Sequence, residues 1–447
     1  MAVDFEQRTF SSALDRLVRI AVFAWLVLDV FDGVVRYGAS LGGMPWLVYL
    51  RDGVMLMAAL ACLAVHPLRP RVLIYCIVLL AGAVTGLAYL ETPLQVAVGL
   101  KVFLPFFAGL AIAGLPGPLF PRPRWLVALL LVTFLGVYLQ SFIDYPWVGY
   151  QYDVGDFSVE GNRMWWATDE FVRLSGFCRA STSAAPLFFL LGLMNLQTER
   201  RRTLALGCWL LALGGIVLTT SKGLCVAWLG ISALLVVRRL LRFDPGLANL
   251  ITRAGVCLVA GIGIVLPLAQ FQLMNGLERV SLGWFTFYSM GDRLEEYWPA
   301  ALQLATQGGN VITGRGVGGI GAAMINFEPE IYNAADSLFL SLYVQFGIIA
   351  VAFLFVLALQ GSKLLADARN PDRQAMGLFL IGMLVYGMVA AVMECSSASL
   401  IMGYAAGLVA TAARPILLPP IDRHKRPPDV RRIVHSVVEP EPVVLAG

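Results

Sequence analysis

The stretch Asn333-Ala334-Ala335-Asp336-Ser337-Leu338-Phe339-Leu340 is where a long polar interruption gives way to an apolar run. Downstream, the run continues to about residue 359, close to the roughly 20 residues that a helix needs to cross a bilayer. Upstream, the interruption reaches back to Gln270 and carries Arg279, Arg293, Arg315 and the glycine-rich Gly314-Arg315-Gly316-Val317-Gly318-Gly319. A loop that long in a compact protein is usually functional or disordered. With an aspartate at the mouth of a new apolar segment, it is the first place to look for chemistry.

Working outward, apolar runs recur near 14–37, 46–65, 72–90, 94–114, 125–143, 180–196, 203–219, 223–241, 254–271, 375–393 and 396–413. Over 447 residues, 58% are hydrophobic and 14% charged, against about 45–50% and about 25% in soluble domains. The expected fold is an all-α polytopic membrane protein with about twelve transmembrane helices. Residues 1–413 form the helical bundle, with two long extracytoplasmic loops near 144–178 and 272–336. Residues 414–447, which include Arg426-Pro427-Pro428-Asp429 and Glu439-Pro440-Glu441-Pro442, lack a hydrophobic pattern and read as a flexible cytoplasmic tail.

Orientation follows from the basic residues, because cytoplasmic loops retain Lys and Arg during insertion. Arg8 precedes the first run and Arg16 and Arg19 stand at its start; Arg69 and Arg71 follow the second; Arg122 and Arg124 follow the fourth; Arg200, Arg201 and Arg202 follow the sixth. Arg238, Arg239 and Arg242, then Lys363, Arg369 and Arg373, then Arg414, Arg423, Lys425 and Arg426 continue the alternation. Both termini are expected in the cytoplasm and both long loops outside. The first run is long and lacks a small-residue cleavage site, so it reads as an uncleaved anchor. The cysteines lie mostly inside the runs and suggest no disulfide. The net charge of +4 is topogenic, and nothing points to nucleic acid.

Basic residues that remain on the depleted side need a reason. They are Arg163, Arg173, Arg179, Lys222, Arg279, Arg293 and Arg315. Placed at headgroup depth, such cations can reach a phosphorylated lipid, and arginine pairs with phosphate oxygens in a bidentate way. A lone cation at a helix end also snorkels to the interface or anchors a span. The glycine-rich stretch reads either as backbone amides against phosphate or as a flexible turn. Within the runs, Asp29, Asp32, Arg51, Asp52, Lys101 and Glu394 each cost about 2.5–3.5 kcal/mol near a helix centre, so they are expected to face the interior and pair, Arg51 with an aspartate. An ion pathway would use the same residue types. The loop near 144–178 adds Trp147, expected in an interfacial belt, and Trp165 and Trp166, which read as part of such a belt or as sugar contacts.

Taken in order, Arg173-Leu174-Ser175-Gly176-Phe177, Leu218-Thr219-Thr220-Ser221-Lys222-Gly223, Gly291-Asp292-Arg293, Thr313-Gly314-Arg315-Gly316-Val317-Gly318 and Asp336-Ser337 through Gly347 form a series. This series resembles the O-antigen ligase and Wzy-type polymerase superfamily over about residues 173–347. The resemblance implies metal-independent, cofactor-free glycosyl transfer on the outer face of a bacterial inner membrane, from an undecaprenyl-diphosphate-linked glycan. It makes Arg173 and Arg293 catalytic candidates that stabilise the diphosphate, with Asp336, and makes Arg179, Lys222, Arg279 and Arg315 candidates for binding the diphosphate or the sugar; Asp336 stands where ligases carry histidine. A carboxylate can take the acceptor hydroxyl's proton, while Asp is equally a favoured helix cap. The chain's histidines are His66, His424 and His435, all on the expected cytoplasmic side. A repeat-unit polymerase is therefore favoured over a ligase, with a chain-length regulator and a flippase as its implied partners. Asp153, Asp156 and Glu160 read as a solvated acidic loop or a divalent-cation site. A flippase or transporter of the same lipid is the reading from another class, although no internal repeat is evident.

Overall fold

The computed structural model describes residues 2–66, 70–120, 123–154, 157–164, 172–268, 281–282, 285–286, 288–367 and 370–411. Arg279, Trp165, Trp166, Asp156 and the tail from 414 onward lie outside the described residues. The chain begins with α1 (Ala2–Val30), α2 (Asp32–Leu41), α3 (Leu50–Val65), α4 (Pro70–Tyr89), α5 (Pro93–Ile112) and α6 (Pro123–Gln140). An antiparallel hairpin of β1 (Gln151–Val154) and β2 (Phe157–Glu160) precedes α7 (Ser181–Thr198), α8 (Arg202–Leu218), α9 (Lys222–Leu240) and α10 (Pro245–Val265). A smaller hairpin, β3 (Ser281–Leu282) and β4 (Phe285–Thr286), leads to α11 (Tyr288–Asp292), a π-helical turn at Arg293–Tyr297 and α12 (Trp298–Gln307). Then follow α13 (Met324–Phe327), α14 (Leu338–Phe346), α15 (Ile348–Leu365), α16 (Pro371–Tyr386) and α17 (Ser396–Thr411).

Among the described residues, seven helices are long and apolar enough to cross a membrane: Pro45–Val65, Val72–Tyr89, Pro93–Ile112, Pro123–Gln140, Lys222–Leu240, Pro245–Val265 and Ile348–Leu365. The other apolar runs also fold as helices, but α8, α16 and α17 have 17, 16 and 16 residues. Helix α7 is apolar on every side and buried from Ala184 to Asn195, as expected of a helix at the centre of a bundle. Helices α5 and α17 press together at Gly109 and Gly403, where a Cβ would strike the carbonyls of Leu400 and Phe106.

Three apolar runs are not single helices, among them the run near 375–393, where α16 ends at Tyr386 and a 3-10 turn follows at Val392–Glu394. The first breaks at Phe31, between α1 and α2. The run that opened the sequence reading breaks at Gly347, whose φ of 58° and ψ of −141° are not helical. The cause is the carbonyl of Ile312, which sits where a Cβ on Gly347 would be and accepts the Ile348 N–H at 3.1 Å.

The glycine-rich stretch corrects both expectations made for it. It is neither a flexible turn nor a phosphate cradle but a buried wedge between α4, α5 and α14. Arg315 N–H donates to Val344 O at 2.6 Å, Gly316 N–H to Gln345 O at 3.1 Å and Val317 N–H to Gly82 O at 2.9 Å. Gly86 and Gly99 on the facing helices leave room for its backbone, and Gly82 leaves room for the Phe346 ring and the Val317 side chain. Its amides are thus used inside the protein.

The loop after α6 is fastened by aromatic stacking. Trp147 stacks on Tyr145 at 4.4 Å, and its Nε1–H donates to Gly176 O at 3.1 Å. Trp147 is therefore a fixed strut of this loop, because its ring and its N–H are both engaged within it.

Candidate functional site

The site begins at the N-terminus of α14. Ser337 is the cap: its Oγ accepts the Leu340 N–H at 3.4 Å. Asp336 lies one residue outside the helix, so its carboxylate is released from capping. It accepts a hydrogen bond from Arg293 Nη2 at 2.9 Å. Arg293 opens the π-helical turn and also donates through Nη1 to Ser289 O at 2.7 Å. Single π turns within α-helices concentrate at functional sites. Asn333 ties the two parts together, donating through Nδ2 to Tyr297 O at 2.8 Å and accepting the Ala335 N–H on Oδ1 at 2.7 Å.

Arg173 and Lys222 meet this pair from two other segments. Burial lowers the Arg173 pKa from its ordinary value, and the charge of Arg293 adds to the effect. The Arg173 Nε is buried without a hydrogen-bond partner. Lys222 starts α9, with Arg173 and Arg293 within electrostatic reach. Tyr386, at the end of α16, faces Ser221, Arg173 and Asp336. Of the sequence-derived candidates, the structure thus brings together Arg173, Lys222, Arg293 and Asp336, a surplus of cations around one carboxylate.

Backbone strain marks the same place. Among the described residues, the non-glycine positions with positive φ are Thr220 at 54°, Ala335 at 59° and Asp336 at 44°. Such residues cost of order 1–3 kcal/mol each and cluster at functional sites. All of them lie in the turns that carry Lys222 and Asp336.

Arg179 belongs to a neighbouring group. Burial, reinforced by Arg36 and Arg163, holds its guanidinium down at about 9. Its Nε is buried and unpartnered. Beside it, Arg36 pairs with Asp32 at 3.0 Å and donates to the Tyr152 hydroxyl. Arg51 binds Asp29 at 2.7 Å, Asp32 at 3.1 Å and Asp52 at 3.3 Å, while Lys101 reaches Asp52 at 3.6 Å. These charges pair as the insertion cost requires. Glu394 departs from that expectation: its Oε1 accepts the Ala322 N–H at 2.9 Å, with no ion pair among the described residues.

Arg315 is held elsewhere. Its guanidinium grips Glu328 in a bidentate pair at 2.5 and 3.1 Å and donates to Gly319 O, which fixes the glycine wedge. That leaves little of it for a diphosphate. Arg36, Tyr332 and Tyr386 were not singled out from the sequence. Arg36 hides inside an apolar run, and tyrosines near helix ends are too common to signal a site.

No cluster of His, Cys, Asp or Glu suited to a metal ion occurs among the described residues. The seven cysteines are free. No protein-family profile matches the chain, and no curated protein matches it significantly.

Proposed function

We propose that the chain is a glycan polymerase that transfers a saccharide from an undecaprenyl-diphosphate-linked donor to a hydroxyl of a second lipid-linked repeat unit. In this reading about twelve helices span a bacterial inner membrane, both termini are cytoplasmic, and the site faces the periplasm. The single observation that carries it is the Asp336–Arg293 pair at 2.9 Å with Arg173 and Lys222 beside it. A diphosphate leaving group needs fixed positive charge, and an attacking hydroxyl needs a base; this group of side chains offers both.

The acceptor oxygen attacks C1 of the donor sugar and its proton passes to the Asp336 carboxylate. The C1–O bond to the diphosphate breaks, and the electron pair leaves with the phosphate. Arg173, Arg293 and Lys222 stabilise the charge that develops there, the electrostatic contribution that is usually largest in group transfer. Arg293 can exchange Asp336 for a phosphate oxygen, which would free the carboxylate as the donor seats. Partly desolvated cations gain most from such an anion.

The test is purified full-length protein with short undecaprenyl-diphosphate-linked glycan, read by mass spectrometry. A ladder of repeat units is expected, and it should vanish in Arg173→Gln and Arg293→Gln. Transfer of one glycan to a different lipid or a protein would mark a ligase. Movement of labelled lipid across a liposome with no change in glycan length would replace the enzyme reading with transport.

A further inference from the structure

Glu394 is the carboxylate that the reaction above leaves without a task. It ends the 3-10 turn Val392–Glu394 between α16 and α17. Its side chain is exposed, so it is open to a ligand. Gly321 makes room for it: φ there is 81°, and a Cβ would strike Glu394 Oε1. The Ala322 N–H holds that oxygen at 2.9 Å.

The same backbone leads directly to the reacting carboxylate. Gly321 N–H donates to Asn333 O at 3.0 Å, and Asn333 fastens both Tyr297 and Ala335. Two aromatic side chains are left open along this path, Tyr332 at 45% exposure and Tyr297 at 42%. Glu394 and Asp336 both lie within electrostatic reach of the Tyr332 hydroxyl.

We propose that Glu394 and Tyr332, with Tyr297 beside them, form a saccharide subsite adjoining Asp336. Its role as the acceptor-sugar site rests on the glycosyl-transfer reading; saccharide binding as such does not. Neighbouring sugar hydroxyls donate two hydrogen bonds to one carboxylate, the strong charge-assisted kind. The apolar face of the ring packs on an aromatic side chain whose hydroxyl supplies a further partner. Glu394 is fixed by one oxygen, which leaves the other for a ligand. A sugar held there presents a hydroxyl toward Asp336.

The test is ligand-observed NMR on the full-length chain in detergent, titrated with the delipidated oligosaccharide released by mild acid from the elongation donor. Saturable binding is expected. Glu394→Gln should weaken it about tenfold to a hundredfold, because the glutamine carbonyl still accepts from Ala322 while the charge is gone. Tyr332→Phe keeps the ring, removes the hydroxyl and should weaken binding about threefold to tenfold. Absence of binding by the unaltered protein overturns the subsite, as does binding within twofold in both variants. A missing elongation ladder with binding and both losses intact refutes the reaction and leaves the subsite standing.

Discussion

Replacing Asp336 with asparagine separates a base from a structural partner of Arg293, because structure and chemistry give different magnitudes. Asparagine tolerates the left-handed backbone that Asp336 adopts at φ 44°. Its Oδ1 can keep the hydrogen bond from Arg293. The carboxylate side chain is 43% exposed, and ion pairs that open to solvent contribute about 1 kcal/mol or less. The fold should therefore lose under about 1 kcal/mol. Loss of a general base costs about 10²–10⁴ in rate, which is about 3–5 kcal/mol of barrier. Ser337→Ala gives the opposite pattern. It removes the capping oxygen, costs about 1 kcal/mol of stability and leaves transfer within a few fold of wild type. The assay pairs initial rates of glycan elongation with thermal unfolding followed by tryptophan fluorescence. Elongation by Asp336→Asn within tenfold of wild type would refute the base. So would a fall in melting temperature matching or exceeding that of Ser337→Ala.

Three further substitutions test the surroundings. Arg179→Gln should raise the melting temperature at pH 7. The folded pKa of Arg179 is depressed to about 9, so the unfolded chain holds that proton more firmly; the charge costs stability below about 9, and stability recovers as pH climbs through that value. The glutamine variant should lose the recovery, and a lower melting temperature at pH 7 would show that Arg179 is stabilised by a partner. Glu328→Gln leaves Arg315 charged and buried, so about 3–5 kcal/mol should be lost; replacing both residues by apolar ones of similar size should restore much of it, as judged by melting. Gly99→Ala should cost about 1–3 kcal/mol, because the added methyl strikes the backbone of Gly318. Gly255→Ala, which meets nothing within 4 Å, should be neutral or gain about 0.5–1 kcal/mol.

The apolar runs were legible because membrane-spanning helices need long, uninterrupted hydrophobicity, and seven helices among the described residues are long and apolar enough to cross a membrane. Their breaks were harder to see. Gly347 sits inside a run of the right length, and what halts the helix is the carbonyl of Ile312, a residue distant in sequence. The pairing of Arg51 followed from insertion cost alone, whereas Glu394 shows the limit of that logic, since it is exposed and accepts a backbone N–H where a cation was expected. Arg173, Lys222, Arg293 and Asp336 were readable as charges on the side expected to be depleted of charge. Their convergence was not, because it depends on how α9, α14 and the π turn meet. Arg315 carried the same signal and went to a structural pair. Charge and position do not distinguish an arginine aimed at a ligand from one satisfied by Glu328.

Glycine in Thr313-Gly314-Arg315-Gly316-Val317-Gly318 raises the same ambiguity, and its resolution bears on the reaction. A glycine run permits close approach by phosphate or by backbone, and here the backbone of α4, α5 and α14 occupies it. Arg315 N–H and Gly316 N–H hold the carbonyls at the end of α14, while Leu338 N–H donates to Gly387 O at 2.7 Å at its beginning. A helix of nine residues is thereby clamped at both ends. Asp336 hangs from the clamped N-terminus and Arg293 from a helix tied to the same turn by Asn333. Reacting groups must stay within about 0.5 Å of their working geometry, which supporting contacts have to enforce. In the proposed reaction the wedge acts from a distance, by fixing the short helix that carries Asp336 at its N-terminus. On this reasoning Gly99→Ala should slow elongation by more than its loss of stability accounts for, even though Gly99 touches no reacting group.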